Sequence, residues 1–197
     1  MTDKQIEKVR SKIEKCKKAL AADKKYWGGY YHDGSGIRYY LPQLYIEIDD
    51  FKGGLRYLNW FDKNFPDDSG FPVFLFESTF ILFKCGRIKE AKVKAYRTFY
   101  SEITLFDRFL EKSVLNNVIT EDIYPEKSNL PASFRYSRHD LKFKEFAEWI
   151  EGIFDNLTFL KEAEEFIQIE RELKNIGVGK KRSDLVERLH DILYQRN

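Results

Sequence analysis

Apolar residues fall three or four positions apart along almost the whole chain, and that spacing constrains the fold more than any other feature. From Ile6 the run Ile6, Val9, Ile13, Cys16 and Leu20 advances by 3, 4, 3 and 4 residues, laying one narrow stripe along a helix. No segment demands a half-buried strand. Leu44, Ile46 and Ile48 do alternate, but Leu41, Leu44, Tyr45 and Ile48 suit a helix equally well. The expected class is all-α. Glycine (11) and proline (5) are scarce among the 197 residues and aromatic residues reach 16%, so long helices with aromatic seams are expected.

Thr2 and Gln5 form a capping-box pattern before the first helix. That helix carries nine Lys/Arg against Asp3, Glu7, Glu14 and Asp23, which reads as a solvated face or as a patch for an anionic partner. Residues 26–35, crowded with rings and glycines, read as a loop. Helices are expected over 36–48 and 51–64, with Pro42 kinking the first or marking a late start. A second pair is expected over 71–84 and 87–100, divided at Gly86. Residues 101–117 read as a further helix, and 118–136, with Pro125 and Pro131, as the longest loop. Ser137 and Thr158 are expected caps and Gly177 a helix end. The last helix is expected at 183–195, burying Leu185, Leu189, Ile192 and Leu193. This divides the chain into an N-terminal basic helix with an aromatic loop (1–34), central helical hairpins (35–117) and a loop with a C-terminal helical region (118–197).

The two central pairs order their apolar and small residues alike. Counting from Ser35, the first pair has Leu41 and Tyr45 in its first helix, Phe51 at the turn, then Gly54, Leu58 and a closing Pro66. The second has Cys85, Gly86, Arg87, Ile88, Lys89, Glu90 and Ala91, with Ala91 falling 37 residues after Gly54. In type and order these residues resemble a tetratricopeptide repeat, a helix-turn-helix unit of about 34 residues. Pro42, Asp49 and Phe61 depart from the pattern. The resemblance covers about 70 residues and implies stacked antiparallel hairpins, with flanking helices as caps or degenerate units. It also implies a groove, lined by the first helices, that receives a peptide or partner helix. Its groove positions are Tyr39, Gln43 and Ile46 in the first unit and Val73, Phe76, Phe80 and Phe83 in the second. Packing asks for small residues at Gly54 and Ala91 whatever the family, because helices approach to about 8–10 Å only where side chains at the crossing permit it. A bundle of unrelated helices is the alternative.

Chemistry-bearing patterns are sparse. His32, His139 and His190 are scattered, with no cysteine near any of them in sequence, so no metal and no cofactor is expected. His32 beside Asp33 reads as a local turn hydrogen bond in preference to a ligand or an acid-base pair. The doublets Asp49-Asp50, Asp67-Asp68 and Glu164-Glu165 do not face one another across a substrate, and no nucleophile elbow or phosphate-cradling glycine motif occurs. The chain is therefore expected to be a non-catalytic interaction module with a protein or peptide partner, self-association being left open. A nucleic-acid accessory role is the alternative. It would use the basic first helix with Lys180, Lys181 and Arg182, in a run that faintly resembles half of a SAP-type DNA-binding motif with a contracted loop. Nine acidic residues against Lys161 and Arg171 between 145 and 172 weigh against that role. The charged N-terminus, the lack of any apolar run of about 20 residues and the two distant cysteines lead to the expectation of a cytoplasmic protein with no membrane partner.

Overall fold

A computed structural model describes residues 1–112, 114 and 134–194. Among them the secondary structure is helical throughout, with no strand. The chain forms two compact units that meet between Lys94 and Ala95, inside a helix and well before the boundary expected at 117/118.

The first unit opens with α1 (Asp3–Tyr26), whose start is a complete capping box. The Gln5 amide donates to Thr2 Oγ1 at 3.4 Å and the Thr2 amide to Gln5 Oε1 at 2.8 Å. Val9, Ile13 and Leu20 from the expected stripe are buried. After the aromatic loop, a 3-10 turn (Ile37–Tyr39) leads into α2 (Leu41–Glu47). Pro42 lies in the first turn of α2, where a missing N–H costs nothing, so it marks a late start and not a kink. Asp50 caps α3 (Phe51–Asn64) by accepting the Gly53 amide at 2.8 Å. The short turn between α2 and α3 makes them an antiparallel pair. α1 packs on α2, and α4 (Pro72–Lys84) packs on both α2 and α3.

α4 is largely apolar and buried on every side, Phe74 through Leu82 being all buried, the polar Glu77, Ser78 and Thr79 included. Such a helix belongs in an interior. Ser78 and Thr79 are accommodated there by donating to the carbonyls of Phe74 and Leu75 at 2.7 and 2.8 Å. Gly86, at φ +72°, turns the chain into α5 (Ile88–Ser101), which ends in the second unit.

In the second unit α6 is short (Leu105–Leu110): the single helix expected over 101–117 is broken by a turn at 102–104 and ends where Glu111 turns left-handed at φ +55°, while residues 113 and 115–117, with most of the loop expected at 118–136, lie outside the described residues. α7 (Lys144–Phe154) follows a 3-10 turn (Leu141–Phe143), six residues later than a cap at Ser137 would allow. Ser137 caps a turn instead, accepting the His139 amide and donating to Glu111. Asn156, not Thr158, caps α8 (Leu157–Asn175), accepting the Thr158 amide at 2.9 Å. α9 (Lys180–Tyr194) begins three residues before the expected 183. Of its four expected core residues only Ile192 is buried; Leu185, Leu189 and Leu193 are half-buried. The core of this unit is a stack of phenylalanines. Phe154 and Phe159 rings lie 4.7 Å apart, Phe106 and Phe154 4.9 Å, Phe99 and Phe159 4.9 Å.

Candidate functional site

Because Arg10, Ile13, Glu14, Lys17, Leu20 and Ala21 recur at helical spacing, they fall on one edge of α1 and form one wall of a cleft of about 620 Å³. The facing wall comes from the α2–α3 hairpin: Tyr45 and Ile48, then Arg56, Tyr57 and Trp60, with Asp50 and Gly53 at the turn; Tyr31 from the loop completes the lining. All of these residues lie in the first unit. The volume falls inside the range of about 300–1,000 Å³ found for ligand clefts.

Its rings brace one another. Tyr57 and Trp60 stack at 5.4 Å and 29°, Tyr31 meets Trp60 edge-on at 5.4 Å, and Tyr45 leans on Tyr57 at 6.2 Å. The Tyr57 hydroxyl donates to the Arg38 carbonyl at 2.5 Å, and burial pushes its phenol far above the usual tyrosine range. Tyr45 and Tyr57 are buried, whereas Tyr31 and Trp60 are half-buried and offer ring surface to an occupant. Gly53 makes this wall possible, since a Cβ there would collide with the Asp50 carboxylate and come within 2.8 Å of the Tyr45 ring.

Cations border the rings. Arg10, Lys17 and Lys24 stand seven residues apart and so follow one line down α1. The Lys17 ammonium bonds Glu14 at 3.0 Å and sits 5.9 Å from the Tyr45 ring centre, while Lys24 lies 4.7 Å over Tyr31. Burial works against the Lys17 charge, but its bonds to Glu14 and Tyr45 outweigh that and raise its pKa. Arg56 is exposed and makes no ion pair among the described residues.

A buried clasp holds the loop that brings Tyr31 to the cleft. The Asp23 carboxylate accepts the amides of His32 and Asp33 at 2.8 and 3.1 Å. The Asp33 carboxylate accepts the amides of Ile37 and Arg38 and lies 3.0 Å from the Arg38 guanidinium. Arg38 also reaches Asp68 at 2.9 Å, and the Tyr39 hydroxyl donates to Asp68 at 2.7 Å. Burial opposes ionisation of Asp68, yet the bonds from Tyr39, the Gly70 amide and Arg38 prevail and hold its pKa below the usual carboxylate range. Burial, reinforced by the bond to Asp68, pushes Tyr39 up to about 12. Asp33 thus acts as a turn and helix-start acceptor. His32 itself is exposed and stacks on Trp27 at 4.8 Å.

The expected groove positions do not form one open surface. Phe76 and Phe80 on the largely apolar, interior α4, and Ile46 on α2, which packs against it, have at most 2% exposure. Tyr39, Gln43, Val73 and Phe83 are half-buried, and Tyr39 is committed to the clasp. The cleft uses instead the opposite edge of the hairpin and α1. The clue in the sequence is the i, i+3 spacing of Tyr57 and Trp60, facing the row of cations on α1. Arg182 caps α8, donating to the Leu173 carbonyl at 2.8 Å, and Lys181 lies 3.4 Å from Glu172; Lys180 is exposed. His139 meets Glu111 at 3.3 Å on the surface, and His190 lines a shallow depression on α9. Among the described residues no three His, Cys, Asp or Glu side chains converge to hold a metal ion, and no helix is long and apolar enough to cross a membrane. Cys16 and Cys85 are both free thiols.

No family model, curated protein or solved structure matches the chain, so the functional reading rests on the cleft itself.

Proposed function

We propose that the protein is a non-catalytic interaction module, built on tetratricopeptide-like hairpins, that receives a segment of a partner protein. The observation that carries this reading is the ring-walled cleft between α1 and the α2–α3 hairpin. Its lining is rich in tyrosine, tryptophan and arginine, the residue types that dominate binding energy at protein interfaces. Half-buried Trp60 and Tyr31 supply apolar area on rigid side chains already locked by ring contacts, so an occupant finds a wall that needs little ordering. A photo-reactive amino acid placed at Arg56 in the full-length chain tests the reading in cells. It is expected to give a discrete higher-mass adduct that is lost when Trp60 is changed to alanine and is absent when the same group replaces exposed Lys89. Adducts that are indifferent to Trp60 would argue that the cleft is not a docking site.

A further inference from the structure

The charges around the cleft identify the kind of segment it takes. Residues 1–94 carry 18 Lys/Arg against 13 Asp/Glu, an excess of five, whereas the remainder carries 16 against 19. Both carboxylates in the cleft lining are already engaged. Asp50 accepts the Gly53 amide as the cap of α3, and Glu14 is bonded to Lys17. The two arginines are not. Arg10 has only Glu7 at 3.9 Å, with both side chains well exposed, and Arg56 has no ion-pair partner among the described residues. An apolar surface on Trp60 and Tyr31 is therefore bordered by two cations lacking strong counter-charges.

Resting on the docking reading above, we infer that the occupant is an acidic peptide segment with one aromatic or long aliphatic anchor. The anchor lies against Trp60 and Tyr31, and carboxylates on either side of it meet Arg10 and Arg56. A nucleic-acid strand fits less well. Its bases need open ring faces for stacking, but Tyr45 and Tyr57 are buried and one face of Trp60 is covered by Tyr57. A continuous run of phosphates would also pass Glu14 and Asp50, which an acidic peptide with neutral residues at those points avoids.

A displayed library of random 12-residue peptides panned on the full-length chain tests this, with Arg10→Glu/Arg56→Glu and Trp60→Ala chains panned in parallel. Both arginines are exposed, so the double variant is expected to fold, and circular dichroism checks all three chains. The expected result is enrichment of sequences rich in Asp and Glu around a single Trp, Phe or Leu. Binding of a labelled representative should weaken at least tenfold on the double arginine variant, when its carboxylates are replaced by amides, and between 50 and 300 mM salt. Enrichment of neutral or basic peptides that still depends on Trp60 overturns the inference and leaves the docking reading intact. Enrichment that ignores Trp60, or no enrichment, overturns both. Displacement of an enriched peptide by an oligo-dT strand at lower concentration than by unlabelled peptide overturns the inference in favour of nucleic acid.

Discussion

Gly54 marks the place where α3 and α4 come together with almost no room to spare. A Cβ there would lie 2.9 Å from Ile81 Cδ1 and 3.2 Å from its Cγ2. Gly54→Leu is expected to overpack this crossing and lower stability by about 1–3 kcal/mol. Because the obstacle is one flexible side chain, adding Ile81→Ala should recover part of that loss. A thermal double-mutant cycle with no recovery would place the cause elsewhere. A small residue is therefore required at Gly54, as the sequence predicted, but Gly54 serves the crossing between successive pairs, while its neighbour Gly53 serves the crossing within the pair. Sequence spacing marks a small residue without saying which neighbour it faces. Asp107 is a second single-residue case. Burial raises its pKa to about 6, even though the Val114 amide donates to the carboxylate at 2.7 Å. The folded state then holds a proton that the unfolded chain, with an ordinary pKa of about 3.9, releases. The Asp107 contribution to stability is complete below about pH 4 and is lost as pH rises through about 6. Asp107→Asn keeps an acceptor for Val114 and removes the charge, so it is expected to raise stability by about 1–3 kcal/mol at pH 7. Near pH 4 it should change little, which melting curves at the two pH values will check.

At the scale of elements, the Asp33, Arg38 and Asp68 clasp does what a helix or strand does elsewhere: it fixes a loop. The Asp33 side chain is 1% exposed and accepts two backbone amides as well as the Arg38 charge. Asp33→Ala leaves Arg38 half-buried with one partner fewer and two amides without acceptors, at a cost of about 3 kcal/mol. Hydrogen exchange should accelerate at the Ile37 and Arg38 amides well before it changes at Phe61 in α3; uniform acceleration would mean that the clasp supports the whole unit. The helices themselves were legible, because apolar spacing sets them: 51–64 matches α3, and the Thr2 and Gln5 box matches the start of α1. Caps were less so. Ser137 and Thr158 are plausible by type, but capping is decided by backbone conformation, and Asn156, extended at φ −75° and ψ 125°, takes the role instead. The clasp was visible only as far as Asp33, since Arg38 and Asp68 lie 30 residues apart and no local pattern pairs them. The groove was misplaced for a related reason. A largely apolar helix such as α4 reads the same whether it lines a groove or fills a core, and burial depends on what covers it.

For the molecule as a whole, the division between Lys94 and Ala95 separates two compact units with different charge and different cores. The first has its own interior in Leu41, Leu44, Phe61, Phe74 and Ile81, together with the cleft and the clasp. Since the division falls within α5 (Ile88–Ser101), a cut at Lys94 would sever a helix, whereas a cut after Ser101 keeps it whole. A fragment of about 100 residues is within the ordinary size of an independently folding domain. Residues 1–101 alone are therefore expected to stay strongly helical and to unfold in one cooperative step. The fragment should also bind a cation exchanger at neutral pH more tightly than the full chain, whose net charge is only +2. An aromatic cleft that survives excision should keep enriched acidic peptides at an affinity within a few-fold of the full chain, because every lining residue precedes the cut. A fragment that binds hydrophobic dye and melts without a cooperative transition would show that this core cannot stand alone, and would locate part of the stability of the cleft in residues beyond Ser101.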